Sequence, residues 1–140
     1  MLPTRVDGEN ASMSQARTTH IYIVDDSASI RTRLAELLAA MSDVEVVGQA
    51  ASAADAVAGI LGTLPDSVVL DLNLTGGSGI DVLRTVHPQA PGIVFVVLTN
   101  HSEPQYRRAC VRAGATYFLD KSTEFDQVRA VIAEIAANRH

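Results

Sequence analysis

Six side chains in this sequence are of the types that could move a phosphoryl group. Asp25 and Asp26 form an adjacent acidic pair, Asp71 follows an apolar run, Thr99 closes a second run, and Asp120 and Lys121 close a third. Taken singly each is ordinary. An acidic pair is usually a solvated loop or a helix cap, a lone lysine a surface charge, and a threonine a plain hydroxyl. Gathered at one place they make a different object. Three carboxylates on one rim repel each other and need a hard cation, and an all-oxygen ligand set suits magnesium rather than zinc. A carboxylate can also attack phosphorus to give an aspartyl phosphate. That transfer asks mainly for charge neutralisation and alignment, which a metal ion, an ammonium and a hydroxyl donor provide. Asp71 is the candidate nucleophile, with Thr99 and Lys121 as the candidate hydroxyl and ammonium.

Elements that gather such residues are legible in the hydrophobic pattern. Short β-branched runs, HIYIV (20–24), VEVVG (44–48), SVVLDL (67–72), IVFVVLT (93–99) and TYFLD (116–120), read as five strands. Several are apolar throughout, as expected where helices cover both faces of a parallel sheet. Between and after them, Ile30, Leu34, Leu37, Leu38 and Met41 share a helical face, as do Ala56, Val57, Ile60, Leu61 and Leu64. Further faces are Ile80, Leu83 and Val86, then Tyr106, Ala109, Cys110 and Ala113, then Val128, Val131, Ile132 and Ile135. Ser52, Ser78 and Ser102 stand where helix starts are expected. Strict βα alternation repeated five times predicts an α/β, doubly wound parallel sheet with right-handed crossovers. Ligands in such folds bind beyond the carboxyl ends of the strands, where the six residues stand.

The chain as a whole fits this reading. With 140 residues, 47% of them apolar, it is sized for one domain with a real core. A net charge of −5 disfavours direct nucleic acid or membrane binding and favours protein partners. Cys110 is the only cysteine, so an internal disulfide and a thiolate metal cage are both excluded. No apolar run is long enough to span a bilayer and no signal peptide is evident, so the expected location is cytoplasmic. Residues 1–18 lack apolar periodicity and read as a flexible N-terminal leader, with the domain occupying 19–140.

The acidic pair, the stretch DLNLTGGSG from Asp71 to Gly79, Thr99 and Lys121 together resemble the response-regulator receiver domains of two-component signalling, especially the stand-alone kind, over about residues 20–138. The resemblance implies a flavodoxin-like (βα)5 fold with strand order 2-1-3-4-5. It implies phosphorylation of Asp71 by a histidine kinase or histidine phosphotransfer protein, with Mg2+ held by Asp25, Asp26, Asp71 and the backbone carbonyl of Asn73. Thr99 and Phe118 would form the switch, and Asn73, Asn100 and His101 would tune phosphoryl lifetime and access. Such a domain catalyses only its own phosphorylation and dephosphorylation, and its output is binding to a downstream protein. Thr75 and Ser122 replace prolines common in the family, and Thr75 is expected to loosen the turn after Asp71. The alternative is a receiver-like scaffold that binds partners without being phosphorylated; a small phosphatase or a flavin carrier on the same architecture is weaker, since Asn73 leaves no second carboxylate two residues beyond Asp71. If His101 tunes the phosphoryl lifetime, the His101→Ala protein will show a changed dephosphorylation rate when decay of the labelled protein is followed.

Overall fold

The structure, a computed structural model, describes residues 17–138. Positions 1–16 of the expected leader, and the last two positions of the expected domain, lie outside the described residues. Five strands make the main sheet: β1 (Thr19–Val24), β2 (Val44–Ala50), β3 (Ser67–Leu70), β4 (Val94–Thr99) and β5 (Tyr117–Asp120). They alternate with α1 (Ala28–Ala39), α2 (Ala53–Thr63), α3 (Gly79–Val86), α4 (Pro104–Ala113) and α5 (Gln127–Ala137). The strands form one parallel sheet in the order β2-β1-β3-β4-β5. The expected class and strand order are both present.

Alternation along each strand explains why the sheet needs helices on both faces. Tyr22, Val24, Val68, Leu70, Phe95 and Val97 point to one side and pack with Ala56 and Ile60 of α2, Val82, Leu83 and Val86 of α3, and Cys110 of α4. Ile21, Ile23, Val69, Val96 and Leu98 point to the other, against Leu34 and Leu38 of α1 and Val128, Ile132 and Ile135 of α5. Each fully buried side chain of this kind is worth about 1.5–3 kcal/mol over its exposed state. Slipping a strand by one residue would exchange the two cores, so the register that aligns the strand ends is firmly set.

Serine caps fix where three helices begin. Ser27, Ser52 and Ser78 accept from the N–H of Ile30, Asp55 and Asp81 at 3.3, 3.1 and 3.3 Å, each worth about 1 kcal/mol. Ser102 does not cap α4. Glu103 holds the N-cap position without a side-chain bond, and Pro104, with its preset φ, starts the helix. An additional helical turn, Lys121–Glu124, precedes α5; Asp120 caps it by accepting from the Ser122 N–H at 2.9 Å. Four residues are too few to show an apolar period, which is why the pattern did not reveal it.

Strand β3 ends at Leu70, one residue earlier than needed to include Asp71. Asp71 stands just beyond the sheet, its N–H bonded to the Val24 carbonyl at 2.9 Å. The chain then folds into a two-residue antiparallel ladder, Asn73–Leu74 with Gly77–Ser78, turned by Gly76 at φ 73°. The turn is not loosened by Thr75. Its N–H donates to the Ala51 carbonyl at 3.3 Å and its carbonyl accepts from Ala53 at 3.2 Å, and the first of these bonds needs a donor that proline lacks. Gly79 then passes so close to the backbone of Asp71 that an added Cβ would collide with the Asp71 carbonyl oxygen. Gly79→Ala is therefore expected to cost about 1–3 kcal/mol, measured as a lower midpoint in urea unfolding.

Candidate metal and phosphoryl site

Because β1 and β3 are neighbours at the point where strand order reverses, their carboxyl ends bring the residues that follow them side by side. Val24 pairs with Leu70, so Asp25 and Asp71 leave the sheet together. Both are buried, at 2% and 5% exposure. Lys121, directly after β5, reaches between them: its Nζ lies 2.8 Å from Asp25 Oδ2 and 2.9 Å from Asp71 Oδ2. The second oxygen of each carboxylate is also held, Asp25 Oδ1 by the Ser27 N–H at 2.9 Å and Asp71 Oδ1 by the Leu72 N–H at 2.7 Å. Asp26 is exposed and completes an acidic triad in which one oxygen from each of Asp25, Asp26 and Asp71 lies within 4.8 Å of the others.

Burial pushes the Asp25 carboxyl above the usual range, and repulsion from Asp71 adds to this, while Lys121 and the Ser27 N–H pull it back only in part. For Lys121, burial alone would depress the ammonium. Its bonds to the two carboxylates outweigh that, and its pKa is raised, so the side chain remains a cation bridging two anions.

The ligand chemistry fits magnesium. All three side chains offer hard carboxylate oxygens, the ligand type magnesium prefers. Asp25, Asp26 and Asp71 are the residues that would hold the ion. They line a cleft of about 280 Å³ together with Asn73, Asn100, His101 and Lys121.

The structure thus brings Asp25, Asp26, Asp71, Asn73, Asn100, His101 and Lys121 to one opening. Three other sequence candidates sit elsewhere. Thr99 is fully buried and is not on the cleft wall; its Oγ1 accepts from the His101 N–H at 3.1 Å. Phe118 packs in the core at 9% exposure, with the Arg107 guanidinium 5.0 Å above its ring. Asp120, counted among the convergent carboxylates, turns away from the cleft. It accepts from the Ser122 hydroxyl at 2.6 Å, and that bond, followed by one from Ser102, holds its carboxyl below the usual range.

Two residues that sequence reasoning passed over also shape the site. Ser27 anchors Asp25 and caps α1, and its spacing to Ile30 is the same cap signal that marked Ser52 and Ser78. Arg31, from α1, donates from Nη1 to the Asp25 carbonyl at 2.6 Å. No motif announces a contact of that kind.

A doubly wound parallel sheet with an acidic cluster beyond its switch point, bridged by a lysine, defines a class of α/β domain with its charged groups gathered at the carboxyl ends of the strands. Within that class the chain belongs to the response regulator receiver domain family, which matches residues 21–133. It is 29% identical over 119 residues to the DNA-binding transcriptional activator DevR/DosR of Mycobacterium tuberculosis, covering 85% of this chain and 55% of that one. It is 33% identical over 108 residues to the uncharacterized transcriptional regulatory protein YhcZ of Bacillus subtilis, covering 77% and 50%. The chain spans about half the length of these two relatives. Among solved structures it resembles a LuxR-family two-component response regulator from Aurantimonas sp. SI85-9A1, with 30% identity, a TM-score of 0.78, and 86% of each chain covered. Among the described residues no helix is long and apolar enough to cross a membrane.

Removing the shared cation leaves two buried carboxylates facing each other. Lys121→Met is expected to lower stability by about 3 kcal/mol in urea unfolding without magnesium, and added MgCl2 should raise the midpoint of this variant more than that of the parent.

Proposed function

We propose that the domain accepts a phosphoryl group on Asp71 from a histidine kinase or histidine phosphotransfer protein in a magnesium-dependent reaction, and signals through protein–protein contacts. The observation that carries this reading is the placement of Asp71: buried, next to two further carboxylates, bonded to Lys121, and open to a cleft.

In this reading the donor's N–P bond breaks as the Asp71 Oδ–P bond forms, and the imidazole leaves with the electron pair. The Leu72 N–H on Oδ1 and the Lys121 ammonium on Oδ2 fix the carboxylate plane, so its attack direction is preset. Lys121 shares its charge with Asp25 and can follow the phosphoryl oxygens as negative charge moves onto them. Bound magnesium would neutralise the charge of the carboxylates and the incoming phosphoryl group. Asn100 and His101 border the entrance, which suits them to setting which donors reach Asp71 and how soon water follows.

Thr99 has a role only after transfer. Its oxygen accepts from His101, which leaves its own proton available to a phosphoryl oxygen. Drawing Thr99 toward the phosphoryl group would pull on the loop to α4, and Phe118, roofed by Arg107 of that helix, would feel the shift. The exposed face of α4 carries Tyr106, Arg107, Arg108, Val111 and Arg112 and offers a downstream protein both apolar and basic contacts. Cytoplasmic residence, without direct contact to nucleic acid or membrane, accords with this scheme.

Incubation with MgCl2 and a phosphorylated kinase or phosphotransfer protein should place an acid-stable, base-labile label on the protein. The label should vanish with a chelator and in Asp71→Asn; equal labelling of that variant would defeat the assignment.

A further inference from the structure

Reading Asp26 as a metal ligand, on which this inference rests, raises the question of what holds it. Asp25 and Asp71 are pinned through both carboxylate oxygens. Asp26 is exposed, and its carboxylate makes no side-chain hydrogen bond or ion pair among the described residues. Its position is therefore inherited from the main chain.

That main chain is clamped from two sides. The Asp25 N–H donates to the Ala50 carbonyl at 3.1 Å, anchoring the end of β1 to β2. The Asp25 carbonyl, which belongs to the peptide joining Asp25 to Asp26, accepts from Arg31 Nη1 at 2.6 Å. The bond is short and charge-assisted, the stronger kind. A peptide unit is planar, so holding its oxygen restrains where the Asp26 Cα lies. The Ser27 N–H, bonded to Asp25 Oδ1 at 2.9 Å, restrains the peptide that follows, and together they set the direction in which the Asp26 side chain departs. Arg31 in turn is fixed by its place in α1, where its own N–H donates to the Ser27 carbonyl at 3.0 Å.

We propose that Arg31 is a positioning residue for the metal site: by clamping the Asp25–Asp26 peptide it presents the otherwise unrestrained Asp26 carboxylate to the cation. Repulsion between the guanidinium and a divalent ion acts in the opposite sense. Arg31 is partly exposed, where water and salt screen that repulsion, whereas the orienting bond is local and direct. Residues that orient metal ligands without touching the metal typically affect affinity by about 10–100-fold.

The test is calorimetric titration of MgCl2 into the parent, Arg31→Met, Arg31→Lys, Asp26→Asn and the Arg31→Met/Asp26→Asn double variant, with each melting temperature recorded without magnesium. Arg31→Met should weaken magnesium binding about 10-fold, and Arg31→Lys, which keeps the charge but not the planar fork, should lose part of that. In the Asp26→Asn background, Arg31→Met should add little, because the residue through which it acts is gone. A parent that binds magnesium while Arg31→Met binds it equally or more tightly would overturn the positioning role alone. Equal losses in both backgrounds would also overturn it, marking a general structural effect. Should Arg31→Met not fold, Arg31→Lys and an Arg31→Lys/Asp26→Asn double variant carry the same comparison. A parent that binds no magnesium would overturn the metal reading itself.

Discussion

Two buried carboxylates at adjacent strand ends are the condition the rest of the domain must satisfy. At an effective dielectric near 20, two like charges about 4 Å apart repel by roughly 4 kcal/mol, a large fraction of what a small domain has to spare. The fold answers with a lysine directly after β5, two strands from β3 and three from β1, reaching both carboxylates at once. That answer requires β5 to run past the ends of β1 and β3: Val24 and Leu70 lie level with Val97 and Phe118, and β5 continues two residues further, to Asp120. These pairing registers are the ones the two apolar cores enforce. Stability and chemistry share one arrangement, in which the resting ammonium occupies the neighbourhood a divalent ion would use.

The pairing also separates what is fixed from what can change. Asp71, Asp25 and Lys121 are mutually held and mostly hidden, whereas Asp26, Asn73, Asn100 and His101 are exposed around the opening. Thr99 lies deeper, tied to the opening through the His101 N–H. A charge added at Asp71 thus meets a rigid inner set and a looser outer one, the arrangement from which a local electrostatic event can bias a larger element.

Much of the fold could be read in the sequence because it rests on periodicities. The continuous apolar runs and five helical faces gave the strands and helices, since each strand is sandwiched and each helix has one buried side. Asp25, Asp26, Asp71 and Lys121 were legible because strand ends in this topology converge, so that Asp71 and Lys121, fifty positions apart, could be placed together. Asn73, Asn100 and His101, by contrast, were indicated only by the family resemblance. What escaped was decided by single hydrogen bonds. Asp120 looks like one more acidic strand end, yet its carboxylate caps the turn that follows instead of facing the cleft. Ser102 looks like a helix cap, yet Pro104 makes that bond dispensable. Arg31 reaches a main-chain oxygen six residues back, and no composition or spacing distinguishes that from a solvated arginine. Phe118 has the type and position of a switching ring, but how much of it is covered depends on Arg107 in a neighbouring helix.

The Thr75 main chain gives the segment after Asp71 a mechanical property. Because its amide and carbonyl are both stitched to the residues leading into α2, the little hairpin and that helix form one lever instead of two independent parts. The ladder cannot swing outward without tearing both stitches, so a push arising beneath it would be felt on the flank of the domain opposite α1 and α5.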